Sequence, residues 1–377
     1  MSLSKFGVEC YILTPYEKSQ TISKGVEVVC IANFLQRFGL NDWVYRLTKN
    51  AYYSGFLMRN LVINERWQRF LGRLSENIAN VVERLNIDLV QVEQDIVLLA
   101  TMEVGKRTML PFVADIHNVT SEELVAARVI KRDSDEFDTL QNRTRDALQN
   151  LNSIIVVSAE MKNYVVANYG ISSNRVVVVP PGGRPRVNEI NEKAYPPKVI
   201  YSGSVALREH LDLFVNSMPI IREKSKDVQF YITNKGHALK NVKQLAKELG
   251  VHPSFFWFPD ERNFYEFLAS CHVGVLPSSS DIARQMGTPV KLFDYLAAGL
   301  PVVVNDVGTW TNIIKDEGVG IVTKDDPKDF ASGVLQLIQN QEFATACGHK
   351  GLELVKNKYN WDNSAKILLY EYQHLVS

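Results

Sequence analysis

The chain alternates between short apolar runs and longer stretches whose apolar residues recur at helical spacing. Residues 8–14 and 26–31 read as strands divided by a polar turn. Beyond them, 88–92, 109–115, 153–158 and 175–179 are rich in Val, Ile and Leu, with helical periodicity between them. A long polar helix is predicted to about Asn150, with Ser121 or Thr120 able to cap its start, and another helix over 159–169. After residue 197 the alternation begins again. Strands are predicted at 198–202, 228–233, 272–276, 301–304 and 320–323, and helices at about 207–224, 238–249, 263–270, 289–298 and 327–340. An apolar-striped helix to about Leu375 closes the chain. Unalternating Val and Ile runs are what strands buried on both faces look like. The pattern therefore predicts an α/β protein of two doubly wound domains.

The stretch from Pro180 through Pro-Gly-Gly-Arg-Pro-Arg186 to Pro197 is the clearest linker. It divides the 377 residues into 1–180 and 198–358, each large enough for its own core, with a terminal segment 359–377. Lys plus Arg and Asp plus Glu both number 42, so bulk charge gives no pull toward nucleic acid. Cys10, Cys30, Cys271 and Cys347 show no metal or redox spacing and read as small thiols of a reducing compartment. No run reaches the roughly 20 apolar residues of a membrane span, and the start does not read as a signal peptide, which places the chain in the cytoplasm by default. Segment 43–74 stands apart. Arg46, Lys49, Arg59, Arg66, Arg69 and Arg73 face a single acid, Glu65, with Trp43, Tyr45, Tyr52, Tyr53, Phe56, Trp67 and Phe70 interleaved. Such a segment either lies on an anionic membrane surface or buries its aromatics and solvates its arginines.

Chemistry concentrates at 287–304, read as a loop, a short helix stopped at Gly299 and a buried strand opened by Pro301. Lys291 and Asp294 are the polar exceptions in the first turn of that helix. A helix N-terminus and a lysine suit a phosphate, and a carboxylate accepts hydrogen bonds from hydroxyls. Phosphate and sugar together indicate a nucleotide; a plain capped helix is the alternative. His117 follows a strand at the carboxyl edge of the first sheet, crowded by Asp115 and Asn118. The dinucleotide fingerprint, the P-loop and the Gly-x-Ser-x-Gly elbow are all absent. The histidines show no metal-ligand spacing, so no metal is expected.

The 287–304 stretch resembles the donor-site signature of family-four retaining glycosyltransferases, which have the GT-B fold. Their pattern is Glu, seven residues, Glu, then a small-residue helix and Gly-x-Pro-Val. Asp294 stands at the second glutamate, where the resemblance implies contact with the ribose hydroxyls, and Met286 at the first, near the sugar. The resemblance implies two Rossmann-like domains facing across a cleft and a C-terminal helix crossing back to the first domain after Tyr359-Asn-Trp. His117 is implied to reach the donor sugar and its phosphate. The loop after the 198–202 strand is implied to hold the diphosphate through Gly203 and Ser204. There the family's arginine is replaced by Ser204 and its lysine by Glu209, which leaves Arg208 as substitute and Lys291 or Arg284 in reserve. Asp260 falls where the family's backbone grips the nucleobase, and Gly287, Thr288 and Val290 line the signature loop. Members begin with a strand and a Gly-Gly loop, of which Leu3 to Gly7 resembles only the following helix end. The activity implied by the resemblance is that of a metal-independent transferase moving a sugar from a nucleotide-sugar donor to a glycan, lipid-linked or small-molecule acceptor. A nucleotide-sugar 2-epimerase or a catalytically impaired nucleotide-sugar-binding protein of the same fold are the alternatives.

Overall fold

The computed structural model describes residues 3–14, 20–23, 25–30, 75–76, 78–187, 192–258 and 260–377. The segment 43–74 lies outside them, as does the membrane-contact expectation attached to it. Two compact units divide the chain: Met1–Val179 with Asp362–Ser377, and Pro180–Trp361.

In the first unit, β1 (Cys10–Thr14), β2 (Gln20–Ser23) and β3 (Val26–Cys30) form a small sheet, with β1 parallel and β2 antiparallel to β3. β4 (Val90–Glu93), β5 (Phe112–Ile116), β6 (Ser153–Val156) and β7 (Val176–Val178) pair in parallel in that order. Helices α1 (Asp95–Thr108), α2 (Thr120–Ala126), α3 (Asp135–Gln149) and α4 (Ala159–Tyr169) connect them. The single long helix expected to about Asn150 is two helices. Arg128 takes a positive φ of 59°, Ile130 is buried, and Ser134 starts α3 by accepting from the Phe137 N–H. The polar stretch thus contains a turn that helical periodicity alone does not show. Neither Ser121 nor Thr120 caps α2. Val119 holds the cap position, and Thr120 instead donates its hydroxyl to Asp95, whose other oxygen accepts from the Thr120 N–H at 2.9 Å.

The second unit is a single parallel sheet of β8 (Lys198–Tyr201), β9 (Gln229–Thr233), β10 (Ser254–Phe256), β11 (Val273–Leu276), β12 (Val302–Asn305) and β13 (Gly320–Thr323). Its order, β10-β9-β8-β11-β12-β13, reverses direction between β8 and β11. Ligands of open α/β sheets bind outside the carboxyl ends of the strands at such a reversal. Its helices are α5 (Leu211–Lys224), α6 (Leu239–Glu248), α7 (Glu261–Ser270), α8 (Ile282–Met286), α9 (Val290–Ala297), α10 (Asn312–Glu317), α11 (Pro327–Gln339) and α12 (Gln341–Asn357). The helix expected from 207 starts later, because Leu207–Glu209 is a 3-10 turn and His210 breaks it at φ 48°. Helical periodicity predicted no element at α8 or α12. α8 is only five residues long and is started by Asp281, which accepts from the Arg284 N–H at 3.0 Å.

Two cores cover the two faces. Val199, Tyr201, Val273, Val275 and Val303 meet Phe214, Met218 and Phe330 on one side. Ile200, Leu276, Val302 and Val304 meet Leu292, Phe293 and Leu296 on the other. The strands lack polar alternation because both faces are covered. Gly182 and Gly183 of the linker lie so close to Asn360 and Phe293 that a Cβ on either would fall within 3 Å of their backbone. The Gly183 N–H donates to the Tyr359 carbonyl at 2.9 Å. From Trp361 the final helix, α13 (Trp361–Val376), carries the chain into the first unit. There Leu368, Tyr372 and Leu375 pack on Val113, Ile155 and Val179. Among the described residues no helix is long and apolar enough to cross a membrane.

Candidate active site

At the strand-order reversal of the second unit, β8 runs out into Ser202 and Gly203. Gly274 of β11 leaves room for the Tyr295 ring, since a Cβ there would meet it at 2.7 Å. The Tyr295 hydroxyl thereby reaches across the sheet and accepts from the Ser202 N–H at 2.7 Å. Thr233, at the end of β9, accepts from the Gly203 N–H at 2.9 Å. The outgoing turn is thus fixed from a neighbouring strand, β9, and from helix α9. Gly203 has φ 128°, and the stem of Lys291 runs directly over it.

Lys291, from the first turn of α9, ends on the Tyr201 hydroxyl at 2.8 Å and on the Glu209 carboxylate. Arg284, from α8, pairs with the other Glu209 oxygen, and Arg208 Nε lies 4.0 Å from that oxygen. The side chain of Glu209 is 8% exposed, that of Arg284 16% and that of Lys291 21%. Burial pushes the Glu209 carboxyl up, but the charges of Lys291 and Arg284 outweigh it and hold the group at about 2. Burial draws the Lys291 ammonium down to about 8, against the opposing pull of Glu209. Three cations therefore surround one carboxylate, and the buried Arg284 Nε finds no acceptor among the described residues. The cluster has positive charge left over for an anion.

The neighbouring loops are tied to this turn. Asn305, fully buried at the end of β12, accepts from the Ser278 N–H and donates to the Ser278 carbonyl, both at 2.8 Å. Ser279 donates to the Arg208 carbonyl through its hydroxyl at 2.9 Å. His210 sits between Asp212 at 3.0 Å and Asp325 at 2.8 Å. The hydrogen bond to Asp212 above all raises its pKa to about 9.

The remaining residues singled out from sequence take several positions. The Ser204 carbonyl accepts from the Tyr201 hydroxyl at 2.9 Å, inside the same cluster. Gly287 ends α8, Thr288 is half-buried, and Val290 opens α9 with an exposed side chain. Asp294 accepts from the Tyr265 hydroxyl at 2.5 Å, and Arg186 stacks on that ring at 4.2 Å. Burial first of all raises the Asp294 pKa. Asp260 is spent as the cap of α7, accepting from the Asn263 N–H at 2.8 Å and from its amide at 2.6 Å. Met286 is buried in the core and offers no acid. In the first unit, His117 Nε2 lies 3.0 Å from Asp115 and 3.3 Å from Glu93. The Asp115 hydrogen bond is the main cause of its raised pKa. These three groups bring potential metal-ligand atoms within 4.8 Å of one another, the one such group among the described residues.

Sequence reasoning missed Glu209 as the hub and Tyr201 as its partner. The available signal was a lone acid at a position where the resemblance calls for a base.

Two family profiles match consecutive parts of the chain. That described as "Glycosyltransferase Family 4" covers residues 4–183 and "Glycosyl transferases group 1" covers 196–340. The chain belongs to the family-four, group 1 glycosyltransferases. An uncharacterized glycosyltransferase of Methanocaldococcus jannaschii is 26% identical over 230 residues, 56% of this chain and 57% of that protein. A GDP-mannose-dependent alpha-(1-6)-phosphatidylinositol monomannoside mannosyltransferase of Mycobacterium tuberculosis is 26% identical over 176 residues, 45% of each. The chain thus spans 57% and 45% of the lengths of these two relatives. In fold it is similar to sucrose-phosphate synthase of Thermosynechococcus elongatus, with a TM-score of 0.74 and 16% identity over 99% of this chain and 90% of that one. This likeness extends to a two-domain glycosyltransferase fold of parallel α/β sheets. Within this family frame, the cluster at Lys291 falls in the group 1 part of the chain.

Proposed function

We propose that the chain is a retaining glycosyltransferase moving a sugar from a nucleotide-diphosphate donor to an acceptor hydroxyl. The observation that carries this reading is the cation cluster of Lys291, Arg284 and Arg208 at the strand-order reversal, beside the start of α9. Negative charge on the diphosphate grows as the glycosidic bond breaks, and cations held in place before the reaction stabilise it. Lys291 and Arg284 meet the phosphates, with Arg208 at the rim. The backbone at Gly203 and Ser204 and the loop of Gly287, Thr288 and Val290 bound the donor. Asp294, with one oxygen taken by Tyr265, offers the other to the ribose hydroxyls. His117 serves the sugar end, on the family resemblance of its position.

The acceptor oxygen attacks the anomeric carbon from the face the leaving phosphate departs. The phosphate oxygen then takes the acceptor proton, so no side chain need act as base. The protein's contribution is positioning and electrostatics, and the chemistry needs no metal. The acceptor is a glycan or lipid-linked hydroxyl, in line with the phosphatidylinositol mannoside named for the mycobacterial relative, and the cytoplasm is the proposed site of action. The epimerase alternative loses support because Met286 is apolar and buried where an acid would be wanted.

Calorimetry with UDP, GDP and their hexose derivatives, in chelator, is the direct test. Binding of one diphosphate, lost at least tenfold in Asp294→Ala, is expected, since about 1.4 kcal/mol is a factor of ten. An NMR product spectrum should show the donor's anomeric configuration kept. Absence of binding to the whole panel, or an inverted product, would end this reading.

A further inference from the structure

The phosphate-binding cations are not independent side chains. Lys291 and Arg284 come from different helices, and each reaches the same buried carboxylate, one on either oxygen of Glu209. Glu209 stands at the end of a short 3-10 turn that His210 breaks. Its backbone is held there by Ser279, whose hydroxyl and N–H both donate to the carbonyl of the preceding residue, Arg208. We propose that Glu209 is the positioning residue of this site, holding the Lys291 ammonium and the Arg284 guanidinium side by side as the charge pair that meets the donor diphosphate. The inference rests on the donor-site reading above.

Glu209 has a second consequence for Lys291. The ammonium is buried, and desolvation favours its neutral form. The groups facing it are Tyr201 on β8, Arg208 and Glu209 on the turn, and Arg284 on α8, with Asp294 further along its own helix. Both arginines push the proton off, and Glu209 is the hydrogen-bonded carboxylate that keeps it on. A neutral lysine at this place holds a diphosphate poorly. Glu209 therefore sets the pH range over which the site carries its full charge.

The test compares wild type, Glu209→Gln, Glu209→Asp and Glu209→Gln/Lys291→Arg as full chains. UDP and GDP are titrated by calorimetry from pH 6 to 9, with uridine and guanosine as phosphate-free controls. In Glu209→Gln the diphosphate affinity should fall about fivefold more at pH 8 than at pH 6, for a lysine pKa lowered by about one unit from about 8. Nucleoside affinity should not move. Arginine stays charged throughout, so the double variant should lose the added pH dependence, and Glu209→Asp should recover part of the wild-type profile. An equal loss at all pH values, or a parallel loss of nucleoside binding, would show a merely structural role and overturn the proposal. The Lys291 Cε resonance, assigned through Lys291→Arg, is titrated in ligand-free wild type and in Glu209→Asp and Glu209→Gln. A lower midpoint without the full carboxylate supports the proposal, and an unchanged midpoint sinks it. This arm decides the matter even if no diphosphate binds wild type, in which case the donor-site reading fails on its own. If Glu209→Gln does not fold, Glu209→Asp carries both arms.

Discussion

Replacing Gly203 by alanine puts a methyl group where the Lys291 stem now lies. The new Cβ would fall 2.5 Å from Cε, 2.8 Å from Cδ and 3.0 Å from Nζ. Carbon atoms pack best at roughly 3.5–4.0 Å, so the stem must retreat by about an ångström. The 2.8 Å bond to the Tyr201 hydroxyl and the pairing with Glu209 do not survive that movement. Hydrogen bonds to charged groups contribute about 1.5–3 kcal/mol, and a non-glycine residue held at φ 128° adds about 1–3 kcal/mol. The single substitution should therefore destabilise the second unit by roughly 2.5–6 kcal/mol. With Lys291→Ala the obstruction is gone, and Gly203→Ala should cost only its backbone share. The assay is denaturant unfolding of the four proteins, read at the transition that Lys291→Ala itself moves. The coupling between the two substitutions should be about 2–3 kcal/mol, toward the upper end for residues in contact. Additivity within about 0.5 kcal/mol would refute the view that Gly203 exists to seat the lysine.

Two further outcomes rest on the buried charges. His210 in the folded protein has a pKa raised to about 9 by Asp212 and Asp325, against 6.5 for the free group. Its stabilisation is fully present below about pH 6.5 and is lost as pH rises through 9. His210→Gln should cost about 1 kcal/mol at pH 6 and nearly nothing at pH 10, because both carboxylates are half in solvent; equal cost at both values would contradict the assignment. Arg132 makes a two-pronged pair with Glu122, whose carboxylate is 1% exposed and also accepts from the Tyr164 hydroxyl at 2.7 Å. Arg132→Ala leaves that charge buried and should destabilise by about 3 kcal/mol in thermal unfolding. Arg132→Lys should restore less than half, since an ammonium does not match both oxygens; full restoration would show that geometry is unimportant there.

The strands were legible because their residues are buried on both faces and so carry no competing pattern. β11 and β12 are apolar at nearly every position and agree with expectation to within a residue. Gly299 ends α9 as its type predicts, at φ 65° with the Leu300 N–H returning to the Tyr295 carbonyl at 2.9 Å. The turn between α2 and α3 was not legible, since Ile130 follows Ala126 at the helical i,i+4 spacing while the backbone leaves the helix at Arg128. The site was half legible. Lys291 and Gly203 could be named from the signature and its preceding loop. What sequence could not show is that Glu209, a residue of the wrong sign by analogy, is the group through which the cations are joined. That fact depends on 82 residues of chain separation between partners and on a contact only the fold creates.

The fit between Gly203 and Lys291 also orders the changes this protein can accept over time. A residue with a Cβ at position 203 displaces the lysine stem that lies across it. A shorter residue at 291 would lift the steric bar, leaving only the backbone strain. That same change withdraws a partner from Glu209 and leaves its carboxylate to Arg284 and the Tyr201 hydroxyl. The three positions are therefore coupled, so that what one of them accepts depends on what the other two hold.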